Sequence, residues 1–138
     1  MNELELYSQD YWLNYNSEDE LKGLTPFGFK GNDLLNISLF DKIQLDWALD
    51  LAHACDDPIR TINRNHFSYG LKHLAEKHAK RLSDNEINYI TNGALILAMV
   101  DAGFRFTRDG DSPNVSFNVS ERALKNMFNL WNTILISS

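Results

Sequence analysis

Asp46, Asp50 and His53 stand at i, i+4 and i+7 of a stretch with helical patterning, so the three side chains share one face of a helix. Two carboxylates and an imidazole are a ligand set for a divalent transition metal. The same residues also make an ordinary solvated acidic face. No neighbouring stretch offers a second ligand set, so the solvated face is the expectation. His66, His73 and His78 crowd a basic segment further on. His73 and His78 are five residues apart and do not share a helix face, and zinc sites want closer pairs with cysteine nearby. His78 falls inside an apolar stripe and reads as a partly buried histidine satisfied by a hydrogen bond.

Asp109, Asp111 and Asn114 have the look of an acidic calcium loop, but the register fails. Pro113 takes the fifth position, Asn114 the place of the required glycine and Ser120 that of the bidentate glutamate. A hairpin turn explains the same residues. Cys55 has His53 two residues away, yet side chains two apart on a helix diverge. It reads as a small packing residue. As the one cysteine of the chain it can form no internal disulfide, which fits a reducing, cytoplasmic compartment. No nucleophile elbow, phosphate-cradling glycine loop or paired glycosidase-like carboxylates stand out. The residues therefore read as those of a non-enzymatic protein with no cofactor.

Charge is unevenly placed. Residues 1–56 hold eleven acids and three bases, residues 57–81 two acids and six bases, and residues 82–138 six acids and four bases, for a net −6. The acidic balance argues against a general grip on nucleic acid. It makes Asp41, Asp46, Asp50, Asp56 and Asp57 a candidate surface for a basic partner, with Tyr11 and Trp12 as candidate aromatic anchors. Arg60, Arg64, Lys72, His73, Lys77, Lys80 and Arg81, interleaved with Tyr69, form the alternative candidate, a nucleic-acid-binding set.

These residues must be held by elements that the pattern also predicts. The aromatic and acidic N-terminal part suggests a short helix around Ser8 to Tyr15 and a capping box at Ser17 and Glu20, before Thr25-Pro26 and Gly28 break the chain. Phe27 and Phe29 are expected to dock on the core. Ser38 reads as a helix start, with Phe40, Ile43, Trp47, Leu51 and Ala54 as its apolar stripe and Pro58 as its end. Ser68 starts a helix to about Leu82, carrying Leu71, Leu74, Ala75, His78 and Leu82 on one face. Ser83 and Glu86 form another capping box, predicting a short helix. Thr91 caps a helix that is apolar on every side from Ala94 to Val100, hence buried, and Gly103 ends it. Phe104 and Phe106, then Val115, Phe117 and Val119, alternate with polar residues and predict a hairpin. Ser120 caps a last helix with Leu124, Met127, Phe128, Trp131 and Leu135 on one face.

The expected fold is one mainly α domain over residues 1–138: four to five helices with one β-hairpin near residues 104–119, and residues 1–30 packing on a helical core of residues 31–138. No stretch approaches the roughly 18–20 apolar residues of a membrane span. Glu3, Glu5 and Asp10 are out of place in a secretory signal. The element order resembles a winged helix-turn-helix, but there the helix before the hairpin must show DNA a polar face. Here that helix is almost wholly apolar, so the DNA-reading role passes to the basic helix at Ser68 to Leu82.

Two stretches carry a resemblance: Ser68-Tyr69-Gly70-Leu71-Lys72-His73 with Glu76, and Tyr89-Ile90-Thr91-Asn92-Gly93 running to Ala102-Gly103-Phe104. Together, over Arg60 to Phe106, the chain resembles short uncharacterised accessory proteins carried by phages and conjugative elements. The resemblance implies a mobile-element origin. Small acidic proteins of that kind often bind and block host defence machinery, CRISPR complexes and restriction enzymes included. It thus implies an anti-CRISPR-like inhibitor whose partner is a host protein or ribonucleoprotein complex.

Overall fold

The computed structural model describes residues 21–55 and 57–137. Tyr11, Trp12, Asp56, the expected helix at Ser8 to Tyr15 and the capping box at Ser17 and Glu20 lie outside the described residues. The elements run in order as a short hairpin of β1 (Leu24–Thr25) and β2 (Gly28–Phe29), a 3-10 turn (Ile37–Leu39), α1 (Lys42–Ala54), α2 (Ser68–Leu82), α3 (Asn92–Asp101), a second hairpin of β3 (Phe106–Arg108) and β4 (Val115–Phe117), and α4 (Glu121–Ser137). Both hairpins are antiparallel, with Leu24 opposite Phe29 and Phe106 opposite Phe117. The architecture is mainly α, as expected, and the hairpin at Leu24–Phe29 is an addition to it. No helix among the described residues is long and apolar enough to cross a membrane.

The centre is α3. Every residue from Asn92 to Val100 is buried, because α1, α2 and β2 all pack against it. Thr91 caps it by accepting from the Ala94 N–H at 3.2 Å. At its other end Gly103, at φ +103°, lets the Phe104 N–H reach Met99 O and its own N–H reach Val100 O, both at 3.0 Å. These paired bonds cap the last carbonyls. Each large apolar side chain buried here contributes about 1.5–3 kcal/mol.

Several local readings shift. The cap of α1 is Asp41, whose carboxylate accepts from the Gln44 N–H at 3.1 Å, and Ser38 lies in the preceding 3-10 turn. With that start, the core face of α1 is Leu45, Ala48, Leu49 and Ala52, joined by Leu51. Ile43 is half exposed and Ala54 exposed. Of the expected stripe, Phe40 and Leu51 are buried and Trp47 packs against the edge of the core. No helix follows Ser83. Asp84 and Asn85 take φ of +58° and +68°, a left-handed region these two residue types tolerate. The Ser83 hydroxyl then closes the loop by accepting from the Ile87 N–H at 2.9 Å. Phe29 is buried, but Phe27 at the hairpin tip is 74% exposed, so only one of the pair docks on the core. Likewise Leu82, expected on the core face of α2, is exposed.

One close contact fastens the tip of the first hairpin to α3. A Cβ on Gly93 would lie 1.8 Å from Thr25 O and 2.7 Å from the Pro26 carbonyl carbon, and the Gly93 N–H donates to Pro26 O at 2.8 Å. Only a residue without a side chain permits this approach. Gly93→Ala should lower the unfolding free energy by about 1–3 kcal/mol, read from urea denaturation. Gly70→Ala, whose Cβ meets nothing within 4 Å, should instead raise it by about 0.5–1 kcal/mol. Equal effects of the two would contradict the packing described.

Candidate functional site

The first two turns of α2 present Tyr69, Lys72, His73 and Glu76, at i, i+3, i+4 and i+7, on one face. Lys72 is only 7% exposed. Its Nζ lies 2.6 Å from Glu76 Oε2 and rests over two rings, 5.6 Å from the Tyr69 centroid and 4.8 Å from that of Tyr89. Glu76 Oε2 also accepts the Ile90 N–H at 3.1 Å, while Oε1 lies 2.9 Å from His73 Nδ1. Tyr69 meets His73 edge-on at 4.7 Å. One carboxylate thus holds a buried cation, a histidine and the backbone just before α3, and the lysine holds two tyrosines apart. The charge of Lys72 is spent inside the protein.

Around this group lies a hollow of about 430 Å³ lined by Phe27, Tyr69, Lys72, Tyr89, Asn92, Pro113 and Asn114. Tyr69 and Tyr89 are about half exposed. Asn92 donates through Nδ2 to Asn114 Oδ1 at 2.9 Å, and its buried Oδ1 has no hydrogen-bond partner among the described residues. Two further hollows lie nearby. One is lined by His73, Glu76, Lys77, Lys80 and Asn88, the other by Asp41, Ile43, Gln44, Glu86, Ile87 and Tyr89 among its residues. The basic and the acidic hollow meet at Asn88, and the acidic one reaches the aromatic hollow at Tyr89.

The residues singled out from the sequence are dispersed over this frame. Of the basic set, His73, Lys77 and Lys80 come together on one hollow. Lys72 leaves it, because its ammonium is buried and paired. Arg60 lines a different hollow, and Arg64 and Arg81 are exposed. Of the acids, Asp41 caps α1, and Asp50 Oδ2 lies 2.8 Å from His78 Nε2. Nine residues of helix, about 13 Å, separate these two. Asp46 is partly buried and Asp57 exposed. Asp50 thus serves the buried His78, itself set edge-on to Trp47 and Trp131, and not a site with His53. Among the described residues no group of three or more His, Cys, Asp or Glu is placed to hold a metal ion.

His66 lies 3.0 Å from Glu121 and stacks on Phe128. Its hydrogen bond, with another from Asn63, holds the Glu121 carboxyl below its ordinary value. The Asp109–Asn114 segment is a turn: the Ser112 N–H donates to Asp109 O at 3.1 Å, and Gly110 takes φ +58°. Phe27, Tyr89, Asn92 and Asn114 were not apparent as site residues from spacing. Tyr69, Lys72, His73 and Glu76 come from one stretch of sequence and Tyr89 and Asn92 from another, and only the fold brings the two together here.

Comparison with protein-family models, with curated proteins and with solved structures finds no match to this chain.

The buried pair makes a sharp test. Glu76→Gln leaves the Lys72 ammonium without its anion and should cost about 1–3 kcal/mol of stability in urea unfolding. Adding Lys72→Met removes the stranded charge and should restore most of that loss. A double variant as unstable as Glu76→Gln alone would show that the pair does not organise this site.

Proposed function

We propose that the chain is a non-enzymatic binding protein that docks on a host protein or ribonucleoprotein complex through the aromatic face around Tyr89. The observation that carries this reading is the exposure of Phe27, Tyr69 and Tyr89, at 74%, 53% and 52%, around one hollow whose cation is already neutralised. Aromatic side chains rimmed by charges of both signs are the composition of protein-binding centres. Their setting over a buried ion pair keeps them in place before a partner arrives, which lowers the ordering cost of association.

That the complex is a defence machinery, CRISPR or restriction, and that the chain blocks it, rests on the resemblance to phage and conjugative-element proteins. Charge supports a basic partner in a particular way. Residues 1–20 carry six acids and no base, so the acidic excess lies there more than on α1. It would steer association with surfaces that ordinarily hold nucleic acid. A second reading has one observation in its favour: His73, Lys77 and Lys80 line the hollow beside Tyr69, and aromatics next to a basic ridge suit single-stranded nucleic acid.

Expression of the chain in cells with an active CRISPR or restriction system should raise phage plating efficiency. Tyr69→Ala with Tyr89→Ala should abolish the effect while circular dichroism shows a folded protein, since loss of such anchors costs about 2 kcal/mol or more in binding, roughly thirtyfold in Kd. Protection by the double variant equal to that of the wild type would remove the aromatic face from the mechanism. Oligonucleotide binding that falls steeply with salt and is lost in Lys77→Gln with Lys80→Gln would establish the second reading instead.

A further inference from the structure

A second hollow, of about 450 Å³, lies between the stretch around Arg60 and Ile62 and the start of β3. It shares no residue with the aromatic hollow. Ile62, Val100, Phe104 and Phe106 supply its apolar lining, and Arg60, Arg105 and Thr107 its polar one. The volume suits a small organic molecule.

The walls are fixed by hydrogen bonds. The Ile59 N–H donates to Asn118 O and the Asn63 N–H to Phe117 O, at 2.9 and 2.8 Å. The buried Asn118 side chain donates to Ile59 O at 2.9 Å and accepts the Arg105 N–H at 2.7 Å. Arg105 Nη2 donates to Arg60 O at 3.0 Å, tying its guanidinium to the opposite wall. A single buried amide therefore joins both sides.

Among the described residues neither Arg60 nor Arg105 forms an ion pair. A carboxylate has one charge and two oxygens and can be saturated by one guanidinium fork. A phosphate monoester brings about −1.5 to −2 charge and three terminal oxygens, a match for two guanidiniums. The apolar lining asks for a flat body attached to that head.

We propose that this hollow binds a phosphate monoester carried on a planar ring, of nucleoside monophosphate size, with Arg60 and Arg105 on the phosphate and the apolar lining against the ring. The site is independent of the protein-docking face and stands or falls separately from it.

The test is titration of the isotope-labelled full chain, followed by amide NMR, with AMP, adenosine, inorganic phosphate, benzoate and a 5′-phosphorylated trinucleotide. AMP should give saturable shifts at Ile62 and at Arg105 to Thr107. Adenosine, phosphate and benzoate should each bind at least about tenfold more weakly. Arg60→Gln, whose guanidinium makes no hydrogen bond within the described residues, should lose about tenfold in AMP affinity with its spectrum otherwise unchanged, and Arg81→Gln should lose none. Tighter binding of the trinucleotide than of AMP would assign the natural source to a strand end, and equal or weaker binding to a free nucleotide. Phosphate or benzoate binding as tight as AMP, shifts confined to His73 to Lys80, or an unaffected Arg60→Gln would each overturn the proposal.

Discussion

The whole structure depends on α3 being buried on every side. A helix whose first nine residues are all buried must be covered by other elements, and each covering element acquires its position from that need. α1 and α2 lie against its flanks and β2 crosses it. The closest approach is at Gly93, where the missing side chain admits the Thr25–Pro26 backbone. This contact also sets Phe27 beside Asn92 and Tyr89. A core constraint thus becomes a surface arrangement: the aromatic hollow is where the first hairpin, the start of α2 and the start of α3 meet.

Buried polar groups do the rest of the positioning, because each must find a partner or carry a desolvation cost. Ser68 is fully buried at the start of α2, and its hydroxyl accepts the Val115 N–H at 3.1 Å, joining that helix to β4. Glu76 links α2 to the backbone that enters α3. Gln44 accepts the Thr91 N–H at 2.9 Å, linking α1 to the same point. Asn118 joins the loop before α2 to the second hairpin. These bonds join different elements, most of them far apart in sequence, and together they brace the walls of the two hollows.

Helix periods and caps were legible where one local signal sufficed. Ser68 to Leu82, the Thr91 cap, the Gly103 terminus and the Ser120 cap all follow from residue type and spacing, and each is found. What spacing could not decide was which of two overlapping stripes on α1 faces inward, since Ile43–Trp47 and Leu45–Ala48–Leu49–Ala52 both fit a helical period. In the structure the second lies fully inside, and Trp47 of the first packs at the edge of the core. Strand alternation predicted the second hairpin but not that its polar residues Ser116 and Asn118 are buried as well; Asn118 is covered by the stretch at Ile59, to whose carbonyl it donates. The candidate site suffered most. Lys72 reads as a surface cation in any helical wheel, and only the tertiary position of Tyr89 and Glu76 makes it an internal one. Phe27 gained its place from a hairpin too short to be seen as periodicity.

The hairpin, the Glu76 clasp and α3 should form one cooperative unit that holds the aromatic face in place before any partner binds. Native-state hydrogen exchange of the amides of Phe29, Ile90 and Gly93 tests it directly. Their acceptors are Pro113 O, Glu76 Oε2 and Pro26 O. All three should exchange only with global unfolding, alongside Leu95 to Val100. Exchange of these three at loop-like rates, while the α3 amides stay protected, would show that the face is not held by the core, and would contradict the account.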